Sequence, residues 1–127
     1  MEARRILVVD DDPDLRRISQ ITLQAAGMEV TAAPSGSEAL RMLETLRPDA
    51  ILLDVMMPGM DGPACLERLR ARPETRHIPV VFVTAQTQPH EIARFLSLGA
   101  LGVIKKPFDP LRFAGEVSSL LKAGRVP

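Results

Sequence analysis

The sequence predicts an α/β protein with an open, doubly wound parallel sheet, and three observations support this fold class. Five short apolar runs alternate with five segments in which apolar residues recur at helical spacing. Four of these runs are almost continuously apolar, as expected for strands that are covered on both faces. Each run is separated from the next by a helical crossover, and such crossovers join parallel strands. The predicted strands span 4–10, 28–33, 49–54, 78–85 and 100–106.

Cap residues and prolines mark where the predicted helices begin. Asp12 can accept hydrogen bonds from the free N–H groups of the first helix, and Pro13 suits its first position because the φ of proline is fixed. Asp109 and Pro110 repeat this pattern before the fifth helix. Proline also opens the third and fourth helices, which are predicted over 63–71 and 89–98.

The second helix is bounded by a capping motif and a proline. Ser35 precedes Glu38 by three residues, and this spacing predicts a capping box at the start of the helix. Pro48 ends it, because the residue before a proline is disfavoured in the helical conformation.

Apolar spacing predicts the packed face of each helix. In the first helix Leu15, Ile18, Thr22 and Ala25 recur at this spacing, and Gly27 supplies a stop. The corresponding residues of the second, third and fifth helices are Ala39, Leu40, Leu43, Leu46, Leu66, Leu69, Phe113, Val117, Leu120 and Leu121.

Size and composition predict a single domain, residues 1–127, of a cytoplasmic protein. The chain is 46% hydrophobic and 25% charged, and its 16 basic and 16 acidic residues balance. This balance argues against a nucleic-acid arm or a polybasic membrane patch, and the lack of Trp and Tyr argues against base stacking. The lone Cys65 cannot form an internal disulfide, and no apolar run is long enough for a signal peptide or a membrane span.

Polar side chains follow four of the predicted strands at the point where each strand ends. They are Asp10 and Asp11 after the first strand, Asp54 at the third, Thr84 at the fourth, and Lys105 and Lys106 at the fifth. Taken singly, each has an ordinary structural explanation, since aspartates cap helices and lysines reach solvent. In open α/β sheets, however, ligands bind beyond the carboxyl ends of the strands, so we expect these residues to form one functional site.

The chemistry of this set suits phosphoryl transfer to a carboxylate. Carboxylates that crowd together repel one another and need a counter-charge. Oxygen ligands suit Mg²⁺, which binds one or two carboxylates together with phosphate oxygens. A lysine can pair with Asp54 or with an anion attached to it, and a threonine hydroxyl can donate a hydrogen bond to that anion. In such a reaction Asp54 is the nucleophile.

Four sequence pieces together resemble the response-regulator receiver domains of two-component signalling, a family that includes the chemotaxis regulators. The pieces are "ILVVDDDP" at 6–13, "LLDVMMPGMDG" at 52–62, "VTA" at 83–85 and "KPF" at 106–108. They occur in the family's order and spacing over roughly residues 4 to 122. The resemblance implies a five-stranded (βα)5 flavodoxin-like fold with strand order 2-1-3-4-5.

The resemblance also implies a metal site and a phosphoacceptor. It makes Asp54 the phosphorylated residue. It assigns Mg²⁺ to Asp10, Asp11 and Asp54, with Asp11 the more direct ligand of the acidic pair and the Met56 backbone carbonyl a further protein ligand.

Two further residues acquire a role through the resemblance. Thr84 and Lys106 are expected to contact the phosphoryl group. Lys106 takes this role rather than Lys105 because it directly precedes Pro107, and the family's lysine–proline bond is usually cis.

The chain departs from the common family pattern at three positions. Val103 stands three residues before the lysine, where many members carry an aromatic residue that reports activation. Met56 and Gln86 stand two residues after the acceptor and two after the threonine, where side chains tune the lifetime of the phosphoryl group.

Three functions are therefore compared. A signalling switch would take its phosphoryl group from a histidine kinase or a histidine-phosphotransfer protein and would change its binding surface without contacting nucleic acid or membrane. An aspartyl-phosphate phosphatase generally has a second aspartate where this chain has Met56. A receiver-like binding module that acts without phosphorylation usually lacks a member of the acidic pair, the acceptor or the lysine, and this chain keeps all of them. The first function is the one the sequence predicts.

The remaining reactive side chains are predicted to be structural. His77 and His90 are expected at the surface, and Cys65 as a small packing residue. Met56, Met57 and Met60, which follow the acceptor, are interpreted as adaptable packing residues, with contact to a partner as the alternative.

Overall fold

Five parallel strands form one sheet in the order β2-β1-β3-β4-β5, which confirms the predicted fold class and strand order. The computed structural model describes residues 4–124, so both ends of the predicted domain 1–127 lie outside the described residues. Along the chain the elements are β1 Arg5–Val9, α1 Pro13–Ala25, β2 Glu29–Ala33, α2 Gly36–Met42, β3 Ala50–Asp54, α3 Gly62–Arg70, β4 Val80–Thr84, α4 Pro89–Ser97, β5 Gly102–Lys105 and α5 Pro110–Ala123.

Helices cover both faces of the sheet. Because successive residues of a strand point to opposite sides, each strand contributes to two separate cores. Leu7 and Val9 of β1 belong to the core beneath α2, α3 and α4. Ile6 and Val8 of the same strand belong to the core beneath α1 and α5. This two-sided burial explains why β1, β3 and β4 are apolar almost throughout. β2 lies at one edge, and most of its residues are only partly buried.

Strand register brings the polar strand ends to one edge of the sheet. Val9 pairs with Leu53, so Asp10 and Asp54 follow at the same level on neighbouring strands. Thr84 pairs with Lys105, and Lys106 comes one residue later. Because all the strands are parallel, their carboxyl ends lie side by side.

The predicted N-caps form with small differences. Asp12 accepts a hydrogen bond from the N–H of Asp14 at 2.9 Å, and Asp109 accepts one from Leu111 at 2.9 Å. Ser35 accepts one from the N–H of Glu38 at 3.1 Å. The Glu38 carboxylate pairs with Arg41, so only the Ser35 half of the predicted capping box forms in the described structure.

The packed face of α1 differs from the predicted one. Ser19 and Leu23 are its buried residues, whereas Ile18 is 39% exposed and Ala25 is exposed. The buried stripe of α1 is thus offset by part of a turn from the predicted one. A serine lies at its centre, and apolar residues flank it. Leu23 is therefore the α1 residue that enters the core beneath α1 and α5.

α2 is shorter than predicted. It ends at Met42, and the N–H groups of Glu44 and Thr45 bond three residues back, to Arg41 and Met42, in tighter turns. Leu46 lies beyond the helix but still packs against the core. The Arg47 guanidinium donates to the carbonyls of Leu43 and Leu46, so the chain leaves the helix before Pro48 with these carbonyls satisfied.

None of the helices in residues 4–124 has the length and apolarity needed to cross a membrane.

Candidate functional site

The loops at the carboxyl edge of the sheet enclose a cleft of about 290 Å³. Its lining includes Asp10, Asp11, Asp54, Met56, Thr84 and Lys106. Except for Lys105, which is exposed, the structure thus brings together every residue that the sequence proposed for the site.

Three carboxylates converge in this cleft. Oxygen atoms of Asp10, Asp11 and Asp54 all lie within 4.8 Å of one another. Asp10 and Asp54 are only 6% and 5% exposed, whereas Asp11 is exposed. Aspartate is rarely this buried unless it is paired or binds a metal, so the cluster requires positive charge.

Lys106 supplies one positive charge to the cluster. Its Nζ lies 3.0 Å from Asp10 Oδ2 and 3.1 Å from Asp54 Oδ1, and its side chain is only 17% exposed. The peptide bond between Lys106 and Pro107 is cis. One ammonium group therefore bridges the ends of two neighbouring strands.

The pKa of Asp54 is raised from 3.8 to about 6. Burial is the largest cause, and the nearby charge of Asp10 adds to it, while Lys106 acts in the opposite direction. For Lys106 burial lowers the pKa, but its hydrogen bonds to Asp10 and Asp54 and their charges outweigh burial, so its pKa is raised. The Lys106 ammonium therefore stays protonated, but its single charge does not fully compensate the charge of the Asp54 carboxylate.

Two contacts that the sequence analysis missed hold Asp10 in place. The N–H of Asp12 donates to Asp10 Oδ1 at 2.9 Å. The Arg16 guanidinium donates from Nη1 to the Asp10 backbone carbonyl at 2.9 Å. Arg16 lies four residues after the Asp12 cap of α1. Because this helix begins at the cleft, its position could have suggested a contact with the site. Nothing in the linear pattern distinguishes it from the neighbouring Arg17.

Thr84 joins the ends of β4 and β5. It is 1% exposed, and its Oγ1 accepts a hydrogen bond from the N–H of Gln86 at 3.0 Å. Its carbonyl accepts one from the N–H of Lys106 at 2.8 Å. Because a hydroxyl can accept and donate at once, its proton remains free for a ligand in the cleft.

The departures from the family pattern fall in and near the site. The Met56 side chain is 66% exposed at the cleft, and Gln86 is partly buried in its lining. Val103 is partly buried and packs against the core under α2, α3 and α4.

All but one of the side chains predicted to be structural have that character; Met56, interpreted as a packing residue, is instead exposed at the cleft. His77 and His90 are exposed. Cys65 is 1% exposed, and burial raises the pKa of its thiol to about 11, which makes it a poor nucleophile at neutral pH. Met57 is buried in the core, and Met60 packs against that core.

The donor set fits a hard divalent cation. Three carboxylates close together, two of them buried and one open to solvent, supply the oxygen ligands that Mg²⁺ prefers, and solvent can fill the remaining positions. The pKa of Asp54 is raised, chiefly by burial and then by the charge of Asp10, so a cation at this site would favour its charged form.

Comparisons with known proteins agree with this geometry. The family model described as "Response regulator receiver domain" matches residues 6–118. The chain is 39% identical over 119 residues to the "DNA-binding response regulator MtrA" of Mycolicibacterium smegmatis, covering 94% of this chain and 51% of that protein. It is 43% identical over 118 residues to the "Response regulator PleD" of Caulobacter vibrioides, covering 93% of this chain and 26% of that protein. The chain thus spans about half or less of these curated relatives.

Solved structures show the same architecture. The chemotaxis response regulator CheY4 of Vibrio cholerae matches with a TM-score of 0.88 at 32% identity, covering 94% of this chain and 99% of that one. The signal receiver domain of a signal transduction histidine kinase from Syntrophus aciditrophicus matches with a TM-score of 0.84 at 35% identity, covering 98% and 95%. The chain belongs to the response regulator receiver domain family of two-component signalling.

Proposed function

We propose that Asp54 is the residue of this receiver domain that accepts a phosphoryl group. The observation that carries the proposal is its burial at the strand end with Lys106 Nζ 3.1 Å from its carboxylate. Among the described residues of the cleft, Asp54 is the one that has a buried carboxylate, a contact with lysine, and a threonine, Thr84, at the end of the adjacent strand β4. The donor is the phosphohistidine of a histidine kinase or of a histidine-phosphotransfer protein.

Mg²⁺ is the proposed cofactor. Asp10, Asp11 and Asp54 would hold it through their carboxylates, and Met56 through its backbone carbonyl. The ion would neutralise the oxygens of the phosphoryl group, a charge that this cluster cannot balance with one lysine. Asp12 and Arg16 keep Asp10 oriented for this task through the hydrogen bonds described above.

The transfer exchanges one bond for another. A carboxylate oxygen of Asp54 forms a bond to phosphorus, the bond from phosphorus to the donor's imidazole nitrogen breaks, and that nitrogen takes up a proton. Lys106 and Thr84 contact the transferred group, and Lys106 keeps its charge because its pKa is raised. Loss of the phosphoryl group follows when water attacks phosphorus and Asp54 leaves as a carboxylate.

The chain catalyses only these two reactions of its own side chain and is not an enzyme for other substrates. Met56 stands where an aspartyl-phosphate phosphatase has its general acid, and a thioether cannot donate a proton to a leaving group. Met56 and Gln86 instead line the cleft that a hydrolytic water would enter.

The output is a change of binding surface on one domain, residues 1–127, in the cytoplasm. We assign it to α4, β5 and α5, residues 89–122, because Thr84 and Lys106 head the loops that lead to α4 and α5. The partner is a protein or an attached output domain. The relative MtrA is named DNA-binding, but for this domain direct nucleic-acid contact is not proposed, since its charges balance.

Intact-mass measurement after incubation with a small phosphodonor and Mg²⁺ tests the proposal. The wild-type chain should gain the mass of one phosphoryl group, and Asp54→Asn should gain none. Asp61→Asn is the matched control, because Asp61 lies in the loop that follows Asp54 but acts as the N-cap of α3, and asparagine is an equally good cap. A wild-type chain that takes no phosphoryl group, or an Asp54→Asn chain that still takes one, would overturn the assignment.

A further inference from the structure

Gly62, the first residue of α3, packs directly against the backbone of the proposed phosphoacceptor. It is buried, and its N–H donates to the carbonyl of Val55 at 2.9 Å. This bond closes the loop that runs from Val55 to Gly62 and includes Met56. Unlike Gly59, which has φ +77°, Gly62 does not adopt a positive φ, so its backbone conformation does not demand glycine.

Space rather than conformation excludes a side chain here. A Cβ atom at residue 62 would lie 2.6 Å from the carbonyl oxygen of Asp54 and 2.8 Å from the Cα of Val55. It would also lie 3.0 Å from a ring carbon of Phe82, which is fully buried and packs edge-on against Phe95. Two of these three neighbours are backbone atoms, which cannot turn aside as a flexible side chain can.

We infer that Gly62 is a positioning residue for the phosphoacceptor. Its bare Cα lets the start of α3 sit against the peptide of Asp54 and hold that carboxylate at 3.1 Å from Lys106 Nζ. The inference rests on the proposed function of Asp54 and adds a residue that touches neither metal nor phosphoryl group.

A methyl group at residue 62 would displace atoms of the site, and not only side chains of the hydrophobic core. The ring of Phe82 blocks movement on one side, so the backbone at Asp54 and Val55 is the part that must give way. Its displacement would move the Asp54 carboxylate and, through the same loop, the Met56 carbonyl. A misplacement near 1 Å can cost about a hundredfold in rate, so a shift of a few tenths of an ångström is expected to cost about tenfold.

Gly124 provides a matched control for this substitution. A Cβ at Gly124 would also come within 2.6 Å of a heavy atom, but that atom is Cδ1 of Leu101, the far end of a flexible side chain. Gly124 caps α5 at its C-terminal end, away from the cleft, and has φ −76°. Gly62→Ala and Gly124→Ala therefore introduce equally close contacts that differ in what must move.

The test compares the two variants in the full chain. For each, the rate of phosphorylation by a small phosphodonor and the affinity for Mg²⁺ alone, measured by calorimetry, are set beside the urea unfolding midpoint followed by circular dichroism. We expect Gly62→Ala to lose about tenfold in phosphorylation rate and to bind Mg²⁺ more weakly. Gly124→Ala should keep the wild-type rate and the wild-type Mg²⁺ affinity, even if its unfolding midpoint changes. Equal rates and Mg²⁺ affinities in the two variants would overturn the inference.

A second measurement covers the case in which Gly62→Ala does not fold. In the wild-type chain the amide resonance of Gly62 should shift on titration with Mg²⁺ and with beryllofluoride, while that of Gly124 stays unchanged. A Gly62 amide that is silent to both would contradict a mechanical link to Asp54. Because the Mg²⁺ titration needs no phosphorylation, failure of the proposed acceptor role and failure of this inference are distinguishable.

Discussion

At the scale of single residues, the site depends on a carboxylate held where water cannot fully solvate it. Asp54 is 5% exposed, shares one ammonium group with Asp10, and has a pKa of about 6. Such a residue costs stability in the metal-free protein, because its charged form is poorly compensated. This cost gives the site a physical reason to bind a cation. It also gives the protein a reason to respond when the charge at Asp54 changes.

The raised pKa of Asp54 predicts a pH dependence of stability. The folded protein holds the Asp54 proton more tightly than the unfolded chain does. The resulting stabilisation is fully present below pH 3.8 and is lost as the pH rises through about 6. In the absence of Mg²⁺, raising the pH over this window should therefore lower the stability of the wild-type chain relative to that of Asp54→Asn. Urea unfolding midpoints of both chains across the window provide the measurement, and parallel curves would show that Asp54 does not titrate as described.

The two neighbouring lysines give a matched pair. Lys106→Met removes the ammonium between Asp10 and Asp54, whereas Lys105→Met removes an exposed charge one residue earlier. We expect Lys106→Met to slow phosphorylation, because no side chain then neutralises the incoming group, and Lys105→Met to keep the wild-type rate. The rates come from intact mass against time. Equal losses in the two variants would mean that overall charge, and not the contact with Asp54, matters.

At the scale of the elements, α4 is the least firmly anchored helix next to the site. Phe95 is its one buried residue among the described side chains, and burial of one such side chain contributes only about 1.5–3 kcal/mol. Thr84 ends the strand before it and is tied to Lys106 by the 2.8 Å backbone hydrogen bond. A group attached to Asp54 that attracts Thr84 would therefore pull on the loop from Thr84 to Gln88.

Thr84→Ala tests this route. The variant keeps Asp54 and Lys106, so it should still accept a phosphoryl group, but it lacks the hydroxyl that draws the loop toward the site. Amide chemical shifts with and without beryllofluoride should change over 85–110 in the wild-type chain and change less in the variant. Because Val103 replaces the usual aromatic residue, we expect the wild-type changes to centre on the loop and not on β5. Wild-type shifts confined to the cleft would exclude the route.

The sequence predicts the elements better than it predicts the contacts between them. Apolar runs and cap residues locate all five strands and the helix starts, because these signals are local. The packed face of α1 could not be predicted, since Ser19 is buried there while Ile18 is partly exposed. The hydrogen bond from Arg16 to the Asp10 carbonyl and the packing of Gly62 against the Asp54 backbone depend on which segments meet in space, and local sequence patterns do not reveal these contacts.

At the scale of the whole molecule, an electrically balanced chain concentrates negative charge at one edge of its sheet. The 16 acidic and 16 basic residues cancel, yet three carboxylates meet within 4.8 Å of one another. A cation that binds this edge only in the folded state must stabilise the fold. The parallel sheet makes this possible because it gathers the ends of distant strands.

Mg²⁺ should therefore raise the unfolding midpoint of the wild-type chain at neutral pH. Asp11→Ala should reduce that rise, because it removes the solvent-facing member of the cluster, and should abolish phosphorylation with Asp54 intact. Asp14→Ala, which removes an exposed carboxylate in the first turn of α1, serves as the control and should respond to Mg²⁺ like the wild type. A wild-type midpoint insensitive to millimolar Mg²⁺, together with phosphorylation in a chelator, would remove the ion from the mechanism.

Chemical identification of the phosphorylated residue tests the central claim most directly. Borohydride reduces an acyl phosphate on aspartate to the alcohol of homoserine, which remains in the chain through proteolysis. After treatment with a small phosphodonor and Mg²⁺, peptide mass spectrometry should find homoserine in place of Asp54, and at no other aspartate. Homoserine at Asp10, Asp11 or Asp61, or a chain that carries a phosphoryl group on a residue other than aspartate, would contradict the account.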